Sequence, residues 1–470
     1  MKKRLKILMA LLVCLALCLP TWTALSPVAG FGEEGVEKPS PAHSALYDLL
    51  LDALQNNLPD ENNCIPVDLT GMGITREIMK REVKKVADQN PEYFYFIGGY
   101  ACFPVDKNGF LQKILLVTEY SGDELVQKTA EFEALTAPLF ALHNDSWSDF
   151  ETVLFYHDYL SSNYEYDYTY SIHHPKEFLE QGRGVCNAFA KVFQLLMNRF
   201  GVPCISAQSD ILNHIWNVVY LDGAWYHIDV TWSDLTAPGP ARHKYFLTGT
   251  DMLAQDPQKS PATDIDYGAQ IETSVDDHPL YSLFCNVNAP CTSVGGRIYT
   301  VVETGGGFFL SEYDAASGAF LPLLEMPSSW RIPNGGGTYH PGCYSTLVSL
   351  GGYILYNDDM TVKALDLATL EQTDVTGCGE ETCICGMRFV GDTLTAFLSA
   401  KLYGDSFDPM PVFRRGDIDG DFLLSITDVT VLLDVLGGSG SGVLPFISDV
   451  DGNGVSQIGD VTALLDTLAA

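Results

Sequence analysis

The sequence predicts a multi-domain chain with three folded parts: an α+β domain, an all-β domain and a small all-α domain. Three patterns support this prediction. Helical and strand-like runs alternate over residues 41–255, glycine-punctuated strand-like runs fill residues 281–405, and two similar loop-helix segments occupy residues 414–470. The proline- and aspartate-rich residues 256–280 are predicted to be a linker. A chain of 470 residues is long enough for several domains.

The chain begins with the pattern of a secretory signal peptide. Four basic residues precede an apolar run over residues 7–19, which Pro20 ends. This run is too short to span a hydrocarbon core of about 30 Å as a helix. We predict a signal peptide over residues 1–30 and a leader over residues 31–40. We therefore expect a secreted, extracellular protein, free or in a cell-surface complex, with no membrane span in the mature chain.

The charge balance excludes two classes of partner. The chain has 60 acidic and 27 basic residues and a net charge of −33. Proteins that bind nucleic acids or anionic membranes need basic surfaces to meet phosphates. We therefore predict no nucleic-acid partner. A hydrophobic content of 46% also argues against intrinsic disorder.

The spacing of apolar residues predicts the elements of the first domain. A period near 3.6 residues indicates a helix, and alternation indicates a strand. The predicted elements are helices over residues 46–54, after Thr75 and over residues 150–160, and a strand within residues 110–120.

A cysteine stands where another helix is predicted to begin. The apolar residues after Cys186 follow helical spacing until Gly201. The helix dipole at that position favours the thiolate, which is the nucleophilic form of cysteine. Cys186 is therefore a candidate nucleophile, although a single cysteine at a helix start is more often part of a core.

A β-hairpin is predicted downstream of this helix. Strand-like runs over residues 215–221 and 224–232 are joined by an Asp-Gly pair, which is a strong two-residue turn signal. In this register His214 faces Thr231, and Asp229 is the diagonal neighbour of His214 at about 7–8 Å. The sequence therefore predicts contact between His214 and Asp229.

Together these residues would form a nucleophilic array. Cys186 would attack, His214 would act as base and then as acid, and Asp229 would fix the imidazole tautomer. His227 shares the face of the hairpin and is an alternative to His214, but it lacks a carboxylate at the corresponding diagonal. Each residue alone is more often structural. The agreement of three independent features favours catalysis.

Three segments resemble the blocks of the transglutaminase-like superfamily that carry its Cys, His and Asp: GVCNAFAKVFQLLMNRFGVPC, HIWNVV and WYHIDVTW. The likeness extends over about residues 40–255 through NPEYFYF, FYHDYLSSNYEYDYTY and KYFLTG. It implies a papain-like α+β fold and a cysteine-dependent protease, amidase or acyltransferase that acts on a protein or peptide substrate. It also implies that Trp216 and Asn217 are structural or line the cleft. Some members of the superfamily have lost catalysis.

Two aspartate-rich loops near the end of the chain have the spacing of calcium-binding loops. DIDGDFLLSITD begins at residue 417 and DVDGNGVSQIGD at residue 449, and near-identical segments follow both. Ca²⁺ takes six to eight oxygen ligands. Aspartate at positions 1, 3 and 12, aspartate or asparagine at position 5 and a backbone carbonyl at position 7 can supply them. We predict two Ca²⁺ ions. The predicted ligands are Asp417, Asp419, Asp421, Leu423, Asp428, Asp449, Asp451, Asn453, Val455 and Asp460.

This tandem over residues 414–470 resembles a type I dockerin. The resemblance implies a small all-α fold built on paired EF-hand-like loop-helix units around two Ca²⁺. It also implies that the partner is a cohesin module of a scaffold protein, in a cellulosome-like, polysaccharide-degrading complex. The chain departs from the family pattern in two ways. Phe422 stands where a glycine is expected at loop position 6, and the acidic Asp434 and Asp466 stand where basic residues are usual.

Two functions are consistent with these features. The first is an extracellular thiol enzyme that forms a thioester at Cys186 and is docked to a scaffold. The alternative is a non-catalytic binding or attachment component of the same kind of complex. A Cys186 closed off from solvent, or a His214 turned away from it, would favour the alternative.

Overall fold

The structure is a computed structural model that describes residues 38, 42–102, 105–235, 238–331, 338–339, 343–400, 406–439, 443–451 and 455–469. The predicted signal peptide lies outside the described residues, as does the predicted leader apart from Lys38. Within the described ranges, no helix has both the length and the apolar character that crossing a membrane requires.

The first part of the chain mixes helices and sheets, as predicted. Its helices are α1 (Ala45–Asn56), α2 (Arg76–Gln89), α3 (Gly122–Phe140), α4 (Asp149–Asn163), α5 (Pro175–Gln181), α6 (Cys186–Arg199) and α7 (Thr250–Gln255). Its strands are β1 (Cys64–Asp68), β2 (Gly99–Cys102), β3 (Lys113–Val117), β4 (Glu165–Tyr166), β5 (Arg183–Gly184), β6 (Cys204–Ser209), β7 (His214–Leu221), β8 (Ala224–Ile228) and β9 (Phe246–Thr248).

Side-chain caps fix where three of the predicted helices begin. The hydroxyl of Ser44 accepts the backbone N–H of Tyr47 at the start of α1, and Thr75 caps α2 in the same way. Ser148 and Glu151 form a reciprocal capping box at the start of α4. These contacts satisfy N–H groups that have no partner within the helix. The helices predicted from apolar spacing are confirmed, and the strand predicted within residues 110–120 is β3.

A four-stranded antiparallel sheet, in the order β6-β7-β8-β9, carries the predicted hairpin. Pairing of β7 with β8 runs from Leu221↔Ala224 to Asn217↔Ile228, in the predicted register. The turn has φ +50° at Asp222 and +92° at Gly223, which is why an Asp-Gly pair suits it.

The second strand of the hairpin is shorter than predicted. It ends at Ile228, and Thr231–Ser233 forms a turn of 3-10 helix. Asp229 Oδ1 accepts the Trp232 N–H at 3.0 Å, and this contact stabilises the turn. The predicted pairing of His214 with Thr231 is therefore wrong, and His214 pairs with Ser209 of β6 instead.

The sheet has two differently covered faces. Asn217, Val219 and Leu221 of β7 point towards α6, and Val219 and Leu221 share a hydrophobic core with Phe189 and Phe193 of that helix. Trp216 and Val218 alternate with them and point to the opposite face. The sheet therefore has α6 on one side and a second apolar cluster on the other.

Residues 256–280, for which we predict a linker, cover that second face. Ile265, Tyr267 and Ile271 pack against the cluster that contains Trp216 and Trp225. Backbone bridges also join Gln208 to Asp266 and Trp225 to Thr273. The segment therefore lies against the first part of the chain rather than spanning a gap.

The next part of the chain is rich in sheets. It contains α8 (Tyr281–Phe284), β10 (Thr292–Val294), β11 (Arg297–Thr304), β12 (Gly307–Asp314), β13 (Ala319–Met326), β14 (Trp330–Arg331), β15 (Thr338–Tyr339), β16 (Leu347–Leu350), β17 (Tyr353–Asn357), β18 (Thr361–Asp366), β19 (Gln372–Gly377), β20 (Cys383–Val390), β21 (Thr393–Ser399) and β22 (Asp408–Arg414). Neighbours in sequence pair as antiparallel meanders: β10 to β13, β16 to β19 and β20 to β22, with β14 and β15 as a separate pair. Since β22 pairs with β21, this β-rich part extends beyond the predicted end at residue 405.

The described residues between 415 and 469 contain helices and no strand. The helices are α9 (Ile426–Leu436), α10 (Pro445–Ser448) and α11 (Ile458–Ala469). The helices α9 and α11 pack through buried Val429, Leu432, Val461 and Leu464, which occupy equivalent positions in the two copies. Phe446 of α10 packs on Phe413 and Tyr353 of the β-rich part, with ring centroids 5.7 and 5.3 Å apart.

Candidate active site at Cys186, His214 and Asp229

Cys186 is the first residue of α6, with Val185 as the N-cap. The chain reaches this position through Gly184, where a Cβ would lie 2.7 Å from Cδ2 of Phe178 and 2.9 Å from Cβ of Ala188. Only glycine fits without displacing these neighbours. The close approach places the half-buried Cys186 side chain at the positive end of the α6 dipole.

His214 and Asp229 are in contact, as predicted, although Asp229 follows the end of β8 and is not a paired strand residue. His214 Nε2 and Asp229 Oδ2 are 2.7 Å apart, and both side chains are buried. Because Asp229 engages Nε2, Nδ1 is the ring nitrogen left to interact with the neighbouring Cys186 thiol. The imidazole is thus fixed between a carboxylate on one side and a thiol on the other.

The three groups favour the charged forms of the cysteine and the histidine. Burial raises the pKa of the Cys186 thiol, but the hydrogen bond and charge of His214 and the backbone N–H of Ile215 outweigh it, so this pKa lies below the usual value. Burial lowers the pKa of His214, but the charge and hydrogen bond of Asp229 raise it above its usual value. The arrangement therefore suits a thiolate–imidazolium pair.

His227, Asn217 and Trp216, which the sequence analysis also named, pack around His214 or join β7 to its neighbours. His227 accepts the Trp216 indole N–H at 2.9 Å, and burial lowers its pKa to about 3, so it is a neutral part of the packing. Asn217 donates to the carbonyl of Ala190 at 3.1 Å and joins β7 to α6. The His214 ring stacks between Trp232 and Trp216, at centroid distances of 4.8 and 5.7 Å.

Lys259 is a charged group of this site that the sequence analysis missed. Its Nζ lies 2.5 Å from Asp229 Oδ2, the oxygen that also contacts His214. Lys259 is buried, and its ammonium lies over the rings of Trp216 and Trp232, 4.1 and 4.0 Å from their centroids. A single lysine within a polar segment gives no periodic or motif signal, so the sequence offered little to find it.

A buried network of hydrogen bonds lies next to the backbone carbonyl of Asp229. Asp158 Oδ1 contacts Nδ1 of His157 at 2.7 Å and Nε2 of His243 at 2.8 Å, and Oδ2 accepts the Cys291 N–H. His157 Nε2 contacts the Ser233 hydroxyl, which also lies 2.8 Å from the Asp229 carbonyl oxygen.

Metal binding is not needed to explain this network. The side chains of His157, Asp158 and His243 bring ligand atoms within 4.8 Å of one another. The remaining ring nitrogen, Nδ1 of His243, contacts the Val287 carbonyl. All four ring nitrogens and both carboxylate oxygens therefore already have protein partners. The network stabilises the region around Asp229 and ties it to residues 287–291.

Three tyrosines form an aromatic rim near Cys186. Tyr168 and Tyr170 are exposed, and their rings lie 5.2 and 6.2 Å from that of Tyr166. Burial, followed by the charge of Cys186, raises the pKa of Tyr166 to about 12. Asp167 accepts three backbone N–H groups from Thr169, Ser171 and Ile172 and fixes the turn.

The structure also brings carboxylates of the two C-terminal loops together. Oxygens of Asp417, Asp419 and Asp428 lie within 4.8 Å of one another, and so do those of Asp449, Asp451 and Asp460. Partial desolvation, together with the charges of the nearby acidic side chains, raises the pKa of the exposed Asp419. Such clustered oxygens suit a hard cation.

The remaining predicted ligands differ in position. Asp421 is outside the first group, and its Oδ1 accepts the Leu423 N–H at 2.7 Å. Leu423 and Val455 would contribute backbone carbonyls, and their side chains are exposed. Asn453 lies outside the described residues.

Comparison with family models agrees with the sequence prediction for the first part of the chain. A family model described as the transglutaminase-like superfamily matches residues 141–230, which include Cys186, His214 and Asp229. This part of the chain is therefore transglutaminase-like. A comparison with curated proteins finds no match.

Solved structures include three to which the chain is similar. A Cytophaga hutchinsonii protein described as a candidate cysteine protease shares 15% identity over 28% of this chain and 61% of that chain, with a TM-score of 0.18. EGTA-treated LapG of Legionella pneumophila shares 21% identity over 24% of this chain and 64% of that chain, with a TM-score of 0.17. A protein described as a TGase shares 13% identity over 38% of this chain and 56% of that chain, with a TM-score of 0.20. The chain thus spans less than two thirds of the length of each.

Proposed function

We propose that the transglutaminase-like part of the chain is a cysteine-dependent enzyme that hydrolyses or transfers the acyl group of an amide or peptide bond. The observation that carries the proposal is the contact of His214 with Asp229 beside Cys186, in which the charges of the thiol and the imidazole favour each other. This combination provides a nucleophile, a proton carrier and an orienting carboxylate. The substrate class is a protein or peptide.

The first half of the reaction forms a thioester. The Cys186 thiolate attacks the acyl carbon, and a C–S bond forms while the C–N bond of the substrate breaks. The proton held by His214 at Nδ1 passes to the leaving nitrogen. The backbone N–H of Cys186, at the start of α6, is the donor we propose for the developing oxyanion.

The second half restores the enzyme. Neutral His214 takes a proton from water or from an amine, whose oxygen or nitrogen bonds to the acyl carbon as the C–S bond breaks. Asp229 keeps the imidazole oriented in both halves and stabilises its protonated form. Water gives hydrolysis, and an amine gives acyl transfer.

Activity profiling tests this proposal. Purified protein is assayed on peptide libraries and on glutamine-amide substrates with a primary amine as acceptor, beside Cys186→Ala as a matched inactive control. We expect turnover of at least one class by the wild type and none by the variant. Equal activity of the two proteins would overturn the proposal.

A non-catalytic binding role is less well supported. Cys186 is half-buried rather than closed off, and His214 faces it, whereas a binding module needs neither feature. Absence of any Cys186-dependent reaction, together with unchanged binding of polysaccharide or protein by Cys186→Ala, would favour this alternative.

We further propose that residues 414–470 bind two Ca²⁺ ions and attach the chain to a cohesin module of a scaffold protein. The two carboxylate groups fit a hard cation, because each combines a buried first and last aspartate of a loop with an exposed third-position aspartate. The ligands would be the predicted residues of each loop. Bound Ca²⁺ would offset the mutual repulsion of their carboxylates and stabilise the paired helices.

Exposed apolar residues in this unit support docking to a partner. Leu423, Ile426 and Leu433 are exposed, and residues at the equivalent positions of the second copy are exposed as well: Val455, Ile458 and Leu465. The duplication gives two similar apolar surfaces, each next to a proposed calcium site. Exposed apolar patches on folded proteins mark interaction sites.

Calorimetry with a cohesin module tests the docking proposal. We expect binding in Ca²⁺ that is lost in EGTA, and weaker binding after Ile426→Asp combined with Ile458→Asp. Leu370→Asp, at an exposed apolar residue of the β-rich part, is the control. Binding that persists unchanged in EGTA would overturn the calcium role. Binding unaffected by the double variant would overturn the proposed surface.

We also propose, from the apolar run at the N-terminus, that the chain is secreted.

A further inference from the structure

The segment over residues 256–280 places one buried cation beside the proposed catalytic groups. Lys259 and Asp229 are both almost fully buried, and their side chains are 2.5 Å apart. Two indole rings, of Trp216 and Trp232, sandwich the ammonium group. A carboxylate contact and two aromatic faces all stabilise the charged form of a lysine.

The carboxylate is shared between two cationic partners. Asp229 Oδ2 contacts both Lys259 Nζ and His214 Nε2, while Oδ1 accepts the Trp232 N–H. A Cys–His–Asp array needs only the histidine at that oxygen. Burial lowers the pKa of Lys259, while the charge and hydrogen bond of Asp229 favour its protonated form, and the ammonium is a charge that the minimal array does not require.

We propose that Lys259 is a positioning residue, whose ammonium shares the Asp229 carboxylate with His214 and thereby sets how readily His214 releases its proton. The inference rests on the proposed function, because it assigns Lys259 a role within that array. Lys259 does not touch the reacting atoms. It acts through Asp229 and through its charge.

The electrostatic consequences follow from the surrounding groups. Burial raises the pKa of Asp229, but the charges of Lys259 and His214 outweigh it and hold that pKa below the usual value. Lys259 also opposes the protonation of His214, and it interacts favourably with the Cys186 thiolate. Removing its charge therefore favours the protonated forms of both His214 and Cys186.

Among the residues that the structure describes, few other ionisable groups face Lys259. Asp256, in the same segment, adds a weaker attraction, and it is also paired with Lys244 at 2.6 Å. His227 stays neutral, and the ring of Tyr245 lies 5.4 Å from the ammonium. With these groups unchanged, loss of the Lys259 charge is expected to raise the pKa of both His214 and Cys186.

The test is the pH dependence of Cys186 alkylation by iodoacetamide, measured by mass spectrometry on the full chain. The reaction needs no substrate, and its rate changes with pH in two steps, which report ionisation of the thiol and of His214. For Lys259→Met we expect both steps to move to higher pH by about one unit or more. Lys259→Gln can still donate a hydrogen bond to Asp229 and is expected to shift in the same direction, since it also lacks the charge.

The matched control is Lys244→Met, which removes a partly exposed lysine of the neighbouring Lys244–Asp256 pair. Its profile is expected to coincide with that of the wild type. A folded Lys259→Met or Lys259→Gln variant with an unshifted profile would overturn the proposal, since a purely structural lysine gives that result. If Lys259→Met does not fold, Lys259→Gln decides. A wild-type Cys186 that iodoacetamide does not label would instead overturn the proposed function.

Discussion

The glycine before Cys186 gives a sharp test of how the chain positions the thiol. In Gly184→Ala, the added Cβ would meet Cδ2 of Phe178 at 2.7 Å, Cβ of Ala188 at 2.9 Å and the Ile172 carbonyl oxygen at 3.2 Å. Real Cβ atoms essentially never approach other atoms as closely as the first two distances. Both of the side chains involved are fully buried, so neither can turn into solvent.

The size of the effect follows from this crowding. Overpacking a well-packed core costs about 1–3 kcal/mol, and three simultaneous contacts, one of them with backbone, place Gly184→Ala at about 2–3 kcal/mol. That cost corresponds to an increase of about 30- to 160-fold in the unfolding equilibrium constant. Because relief requires α5 and α6 to separate, Cys186 should also lose its alignment with His214.

Two assays read out these effects. Urea unfolding followed by tryptophan fluorescence gives the stability, and iodoacetamide labelling gives the reactivity of Cys186. The control is Gly379→Ala, because a Cβ there meets nothing within 4 Å and the backbone is not left-handed. A Gly184→Ala protein as stable as Gly379→Ala, with unchanged labelling, would refute this reasoning.

Three further predictions concern other parts of the chain. Phe422 has a left-handed φ of +63°, which costs a non-glycine residue about 1–2 kcal/mol. Phe422→Gly removes this cost, but the greater flexibility of glycine in the unfolded chain offsets part of the gain. We therefore expect Phe422→Gly to tighten Ca²⁺ binding up to about fivefold. Calorimetric titration measures this change, and weaker binding would contradict it. Asp158→Asn should lower the stability by about 3 kcal/mol, because it removes the charge shared by two buried histidines, and a melting temperature equal to that of the wild type would contradict this. Burial raises the pKa of Asp234 to about 8. Between pH 4 and 8 the native state therefore keeps a proton on this carboxyl that the unfolded state has lost. Because of this difference, the free energy of unfolding falls as pH rises. Asp234→Asn should flatten this decline in thermal melts, and an unchanged slope would contradict the assignment.

Local sequence signals predicted the elements that carry the proposed active site. Apolar spacing marks α6, and the Asp-Gly turn fixes the register of β7 and β8. The first signal places Cys186 at a helix start, and the second correctly predicts that His214 and Asp229 lie close together. The sequence did not reveal that β8 ends at Ile228, because the turn that follows is stabilised by a contact of the Asp229 side chain.

Long-range packing accounts for what the sequence missed. The polar character of residues 256–280 predicts a linker, yet a few apolar residues such as Ile265 and Tyr267 cover a whole sheet face. Lys259 is buried only because Trp216 and Trp232 come together from other segments. Composition and periodicity describe neighbours along the chain, so they do not predict contacts between residues that are distant in sequence.

The central claim is that Cys186 is an activated thiolate held by His214. The most direct measurement is iodoacetamide labelling at pH 6, with each thiol identified by mass spectrometry in the wild type and in His214→Ala. Cys64 and Cys102 are also half-buried and provide internal comparison. We predict rapid labelling of Cys186, slow labelling of the other two, and loss of the difference in His214→Ala. Equal labelling of all three thiols in the wild type would contradict the account.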